Sequence, residues 1–326
     1  MAVPLGFYRS VASATILAAV ALLVVGCQGD IIWPARPGPK VVVSFAPIAC
    51  FAMNVAGDDA IIKSMMTTTG PHDFNPTNND ARMIHRADLF LINGLALDNS
   101  LAESLKRGSG NRKLKLVALG EQIPADKLLE FHEQHPPDVA SDHHHEGNDP
   151  HVWLSPSLAI VMVEGIREEL KTADPAHSQD YEKRAGDYIA KLRQLQSDGE
   201  QLLAGKKDRK LVTFHESLSY FAHAFGLTIE GVVQKKPGVE PNTNELSQLI
   251  ALCQEKQVRL IAVEPQYSST TSAASLLKAL KRKNAVADPV VVQLDPLETA
   301  EVGALTADWY ERKMRANLQL LAEAMK

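Results

Sequence analysis

The sequence predicts an α/β protein of two doubly wound lobes with parallel sheets, joined by one long α-helix. Three observations carry this. Short apolar runs alternate with amphipathic stretches from residue 40 to residue 118 and again from 211 to 294. Such alternation argues for parallel strands with helices on both faces. Between the two series lies an uninterrupted helical pattern over 174–205. The chain, less its leader, has about 300 residues, enough for two lobes of about 150 each.

The elements follow in order. K-V-V-V-S-F-A at 40–46 is a buried strand, and a helix follows over 47–56. After an apolar patch at Ile61 and Ile62 come a helix at 78–86, a strand at 88–92, a helix at 99–106 and a strand at 115–118. Residues 126–149 interrupt the alternation with Pro-Pro and charge, which makes them a loop longer than most connections. Residues 156–170 read as a helix with Pro near its start. In 174–205, Tyr181, Ala185, Tyr188, Leu192, Leu195 and Leu202 recur at helical spacing. Roughly 28 residues of helix span about 42 Å, a length suited to a rod between lobes. The second series has strands at 211–214, 228–233, 259–263 and 289–294, with helices at 217–225, 244–256 and 271–281. Residues 298–325 read as largely helical.

The N-terminus has the pattern of an export signal. Arg9 precedes an uncharged apolar run over 10–26 that ends V-V-G before Cys27. Residues 1–26 are therefore expected to be a signal peptide. Residues 27–39, rich in Gly and Pro, are expected to be a tether. A small residue followed by Cys resembles a bacterial lipobox, which implies lipidation at Cys27 and an anchor in a membrane. The body then divides into a lobe over 40–173, a linking helix over 174–205 and a lobe over 206–326. Without Arg9 the mature chain has 33 Lys and Arg against 39 Asp and Glu, a net charge of −6. That acidity, with no basic patch, argues against nucleic-acid binding. Cys50 and Cys253 lie far apart in apolar surroundings and read as buried thiols rather than a metal pair.

Six of the eleven histidines fall between His132 and His151. Imidazole is the commonest protein metal ligand, so the window points to a metal. His143, His144 and His145 sit among Asp, Glu and Gly, in a polar loop that also holds His132 and His135. This loop is expected to capture metal weakly and pass it on. His151 differs, lying between Asp149-Pro150 and Val152-Trp153 at the edge of a folded lobe. His72, His151, His215 and Asp295 each lie in a strand end or loop that leads into a helix. Ligands of doubly wound folds bind at such strand ends, and four there converge across an interlobe cleft. Glu298 and Glu264 compete with Asp295 for the carboxylate role, and Glu264 reads as a residue that shapes a loop at the cleft. His85, His177 and His223 read as structural or solvent-facing.

The pieces G-P-H-D-F-N-P-T-N-N-D, A-D-L-F-L-I-N-G-L-A-L-D, D-P-H-V-W-L-S-P, V-T-F-H-E-S-L-S-Y-F-A-H-A-F-G-L, E-P-Q-Y-S-S and D-P-L occur in that order along the chain. In order and spacing they resemble the substrate-binding lipoproteins of zinc and manganese ABC importers. The resemblance spans about residues 40–325 and implies two lobes bridged by a helix, with the metal between them. It implies His72, His151, His215 and Asp295 as ligands, an ABC permease as partner, and a monomeric, non-enzymatic protein anchored on the periplasmic or extracellular face. His at position 215 is the zinc-type choice in that family, where manganese binders carry Glu. Three imidazoles and a carboxylate also suit four-coordinate Zn²⁺. Mn²⁺, which prefers more oxygen, and Fe²⁺ remain as alternatives. Two other classes, a zinc metallohydrolase and a lipoprotein adhesin, are weighed against this. The hydrolase needs an open metal position and a base, and no H-E-x-x-H occurs.

Overall fold

The computed structural model describes residues 33–130, 147–234, 241–265, 271–282 and 286–326. Residues 37–326 form one compact unit. The signal peptide, Cys27 and the histidines His132, His135, His143, His144 and His145 lie outside the described residues.

The first sheet holds β1 (Lys40–Val43), β2 (Ile61–Ser64), β3 (Leu89–Ile92) and β4 (Lys115–Ala118), in the order β2-β1-β3-β4. The second holds β5 (Lys210–Thr213), β6 (Thr228–Val232), β7 (Leu260–Val263) and β8 (Val290–Gln293), in the order β6-β5-β7-β8. Every pairing is parallel. The two sheets thus share one winding, although the sequence shows no tandem repeat. The apolar patch at Ile61 and Ile62 is the edge strand β2.

In each sheet the winding reverses between the first and third strands. A crevice opens there at the strands' carboxyl ends. Ser44, Asn93 and Gly94 lie at the first crevice, and Phe214, His215 and Glu264 at the second.

Helices fill both faces. In the first lobe these are α1 (Ala46–Ala56), α2 (Asn78–His85), α3 (Asn99–Ser109) and α4 (Pro156–Ala173). Helix α1 begins at a Pro, ends at Gly57 with φ 53°, and has nine of its eleven residues buried. A helix apolar on nearly every side belongs in a core, and α1 packs on β2, α4 and the long helix. The second lobe has α6 (Ser219–Ala224), α7 (Thr243–Lys256) and α8 (Thr271–Arg282). Its core joins Phe214 and Val212 to Ile250, Cys253, Ile261 and Leu276. Cys50 and Cys253 are buried free thiols in different lobes.

The long helix, α5 (Ser178–Leu203), has 26 residues and spans about 39 Å. A short 3-10 turn at Pro175–His177 precedes it. It packs on α1 and α4 of the first lobe and on the last helix, α9 (Trp309–Ala324). Among the described residues no helix is long and apolar enough to cross a membrane.

One stretch departs from the sequence expectation. Residues 298–308 are not helical, and helix begins only at Trp309. Leu297 and Gly303 have positive φ, 61° and 76°, and the backbone bonds the first lobe at Pro296, Ala300 and Ala307.

Gly199 of α5 marks where the rod is gripped. A Cβ there would lie 2.4 Å from Phe225 Cε1 and 2.9 Å from Leu318 Cδ1. A Cβ on Gly186 of the same helix would meet nothing within 4 Å. Gly199→Ala should therefore destabilise the protein by about 1–3 kcal/mol through overpacking. Gly186→Ala should stabilise by about 0.5–1 kcal/mol through helix propensity. Denaturant unfolding of both variants checks the contrast.

Candidate metal centre

His151 is placed by the end of β3. The Asp98 carboxylate accepts the Asn93 and Gly94 amides at 3.0 and 2.8 Å, which fixes the turn after the strand. Asn93 then donates its side-chain amide to the Pro150 carbonyl at 3.0 Å. Asp149 Oδ1 accepts the His151 backbone amide at 2.9 Å and meets His151 Nδ1 at 2.7 Å. With Nδ1 held by Asp149, the imidazole turns Nε2 into the cleft. That nitrogen is buried and has no hydrogen-bond partner.

His72 lies on the loop between β2 and α2. Met65 and Met66 bond back to Val43 and Ser44 carbonyls at 2.8 Å each, anchoring the loop's start. At its end Thr77 and Asp80 form a capping box on α2, with Asp80 Oδ2 accepting the Thr77 amide and hydroxyl at 2.7 Å each. The His72 side chain is 34% exposed, so this histidine faces solvent.

His215 follows β5, and Glu264 follows its neighbour β7. Glu264 Oε1 lies 3.4 Å from His215 Nδ1 and accepts the Ser217 hydroxyl at 2.8 Å. Glu264 thus stands behind the Nδ1 edge of His215.

The three rings form a near-equilateral triangle. Their centroids are 5.7 Å apart for His72–His151 and 5.9 Å for each pair with His215. Beside them stands Glu298, whose Oε1 is 3.6 Å from His72 Nε2 and 3.5 Å from His151 Nε2. The donor atoms of His72, His151 and Glu298 lie within 4.8 Å of one another. In a tetrahedron with zinc bonds of about 2.0–2.1 Å, neighbouring donors sit about 3.3–3.4 Å apart. The separations among these three donors leave room for such an ion, while His215 joins them by ring position and lies outside that 4.8 Å group. Gly70 allows the close approach, since a Cβ there would lie 3.0 Å from Glu298 Oε2.

Asp295, expected among the ligands, is engaged elsewhere. Its Oδ2 accepts the Lys313 ammonium at 2.8 Å and its Oδ1 accepts the Leu297 amide at 2.8 Å. Its backbone is bonded on both sides to the Asn317 side chain. The carboxylate that meets the histidines is Glu298's, three residues on. Asp295 instead fixes the turn from which Glu298 projects. Sequence alone makes Glu298 a competitor of Asp295 and does not name the partners of the second ring nitrogens. These are Asp149 and Glu264. The D-P-H spacing was a usable signal for Asp149, while Glu264 lies 49 residues from His215 and needs the fold. Among the other histidines, His85 bonds the Ser109 carbonyl, His177 pairs with Asp174, and His223 is exposed on α6.

The charges are coupled. Burial disfavours a charged His151, but the charge and hydrogen bond of Asp149, with Glu298, outweigh it and raise the pKa to about 10. Burial would raise Glu298, yet its pairing with His151 and His72 holds it well below the usual carboxylate range. Glu298 and His151 thus each favour the other's charged form.

Comparison with known proteins identifies the family. Residues 41–324 match the family model of the periplasmic zinc-uptake complex component A, ZnuA, and the chain belongs to that family. The zinc-binding protein AdcA of Streptococcus pyogenes serotype M3 is 29% identical over 294 residues, 86% of this chain but 55% of AdcA. The chain thus spans about half the length of that relative. The manganese-binding lipoprotein MntA of Bacillus subtilis is 27% identical, covering 88% of this chain and 90% of MntA. A zinc-bound crystal structure of a ZnuA deletion mutant superposes with a TM-score of 0.69 at 27% identity, covering 88% of this chain and 98% of the other.

Asp149→Ala frees the His151 ring to turn and removes its charged partner. It should weaken metal binding roughly 10–100-fold. Competition titration against a chelator of known affinity measures the loss.

Proposed function

We propose that this member of the zinc-uptake component A family captures a divalent transition metal outside the cytoplasmic membrane, zinc foremost, and delivers it to an ABC permease. The ion is the cargo, and no reaction is performed on it. The ligands are the Nε2 atoms of His72, His151 and His215 and the carboxylate of Glu298. The observation that carries this reading is the triangle of three imidazoles closing on one buried carboxylate, with an unbonded Nε2 on His151. An N3O set suits zinc, and at equal free concentration zinc outcompetes manganese at such a site. The manganese-binding relative makes Mn²⁺ the competitor to measure. Anchoring through a lipid on Cys27, and feeding of the cleft by His132, His135 and His143 to His145, complete the proposal. The exposed side of His72 is the entry for the ion.

Elemental analysis and titration of the purified mature chain should give one tight zinc per chain. His215→Ala and Glu298→Gln should each weaken it by about 100-fold or more, since four ligands share roughly 10–16 kcal/mol. Asp295→Asn should cost less than either. If Asp295→Asn abolishes binding while Glu298→Gln is silent, the carboxylate role belongs to Asp295. Tight binding that survives loss of both His72 and His215 ends the reading.

Binding should also displace a proton. His151 carries one in the free protein, with its pKa raised to about 10, and must lose it to ligate. Calorimetry at pH 7 in buffers of different ionisation enthalpy should show about one proton released per zinc. Affinity should rise with pH below 10. The free protein should behave oppositely. A raised histidine stabilises the fold fully below its unfolded pKa of about 6.5, and that stability is lost as pH rises toward 10. Zinc should therefore raise Tm more at pH 8 than at pH 6.

A further inference from the structure

Leaving β8, the chain departs from the second lobe before it reaches α9. The Pro296 carbonyl accepts the Trp153 indole N–H at 2.8 Å. The Ala300 amide donates to the Thr67 carbonyl at 2.8 Å. The Ala307 carbonyl accepts the Cys50 thiol at 2.9 Å and the Asn54 amide at 2.6 Å. The Tyr310 hydroxyl donates to the Trp153 carbonyl at 2.6 Å. Trp153, Thr67, Cys50 and Asn54 all belong to the first lobe. Residues 296–310 are therefore bonded to that lobe at four points, two of which flank Glu298.

Trp153 takes two of these bonds. It is fully buried, its ring meets Phe45 edge to face at 4.8 Å, and its centroid lies 5.2 Å from that of His151. It stands two residues after His151, and its acceptor Pro296 stands two residues before Glu298. The intervening Leu297 is buried in a left-handed conformation, φ 61°, with its amide held by Asp295. The path from one ligand to the other is thus short and bonded at each step.

We propose that Trp153 is a positioning residue that locks His151 to Glu298. Three of the four donors, His72, His151 and Glu298, then form one half-site fixed to the first lobe. The second lobe contributes His215, oriented by its own Glu264. A change in lobe separation alters the distance to His215 and leaves the other three spacings in place. This rests on the metal reading of the four residues.

Two substitutions in the full mature chain test it. Trp153→Phe keeps an aromatic body and removes the indole donor. Tyr310→Phe removes the hydroxyl that holds the Trp153 carbonyl. With Zn²⁺ and Co²⁺ as probes, each should release zinc to a chelator about tenfold faster or more, and each should alter the visible absorption of bound cobalt. The effect of Trp153→Phe should shrink on a Glu298→Gln background, because it acts through that residue. Folded variants with natural release rates and unchanged cobalt bands would falsify the positioning role. So would variants that lose stability equally with and without zinc while keeping their cobalt bands, or full additivity with Glu298→Gln. If the natural chain binds no zinc, the metal reading itself fails, and that outcome is separate from unchanged release in the variants.

Discussion

Burying the Glu298 carboxylate is the constraint on which the cleft depends. A carboxylate removed from water costs several kcal/mol unless opposite charge and hydrogen bonds replace the solvent. His151 supplies that charge at 3.5 Å, with a His72 ring nitrogen at 3.6 Å, distances that make close pairs rather than good hydrogen bonds. The pairing therefore holds the anion without satisfying it. On the proposed reading, a divalent ion between these donors makes short bonds to all of them at once, so the geometry that holds the anion also favours the metal.

Aiming Glu298 has its own cost. Leu297 sits at φ 61°, a conformation that costs an L-residue about 1–2 kcal/mol. The surroundings fix it from two sides. From the second lobe, Asp295 holds the Leu297 amide and is itself held by Lys313 and Asn317 of α9. From the first lobe, Trp153 holds Pro296. Strain of this kind persists only where neighbours over-determine the backbone. Here they do so directly beside the ligand.

The fold was legible because strand, helix and rod each have their own period, and residues 40–118, 174–205 and 211–294 keep those periods cleanly. The three histidine positions were legible because each lies in a loop or strand end next to a helix, in a distinctive local pattern. The carboxylate was harder. Asp295 and Glu298 lie three residues apart, and either can reach the cleft on local grounds. What separates them is Lys313, eighteen residues on, which the fold of α9 brings to Asp295 but not to Glu298. The expected helix from 298 failed for a related reason. Ala300 and Ala307 find backbone partners across the lobe boundary and Gly303 takes a left-handed conformation, so tertiary bonds override propensity.

Asp149 and Glu264 give the site a further property. Each stands behind an imidazole, at Nδ1 of His151 and of His215. With Glu298 they place three carboxylates around the position of one divalent ion, so the loaded neighbourhood carries one net negative charge when the imidazoles are neutral. That excess strengthens the ligating nitrogens and draws cations toward the cleft. In the free protein it has the opposite effect on ligation, because it also favours a proton on His151. Proton and metal compete for one nitrogen under one field. The carboxylates that strengthen the site for zinc are the same ones that make it answer to pH.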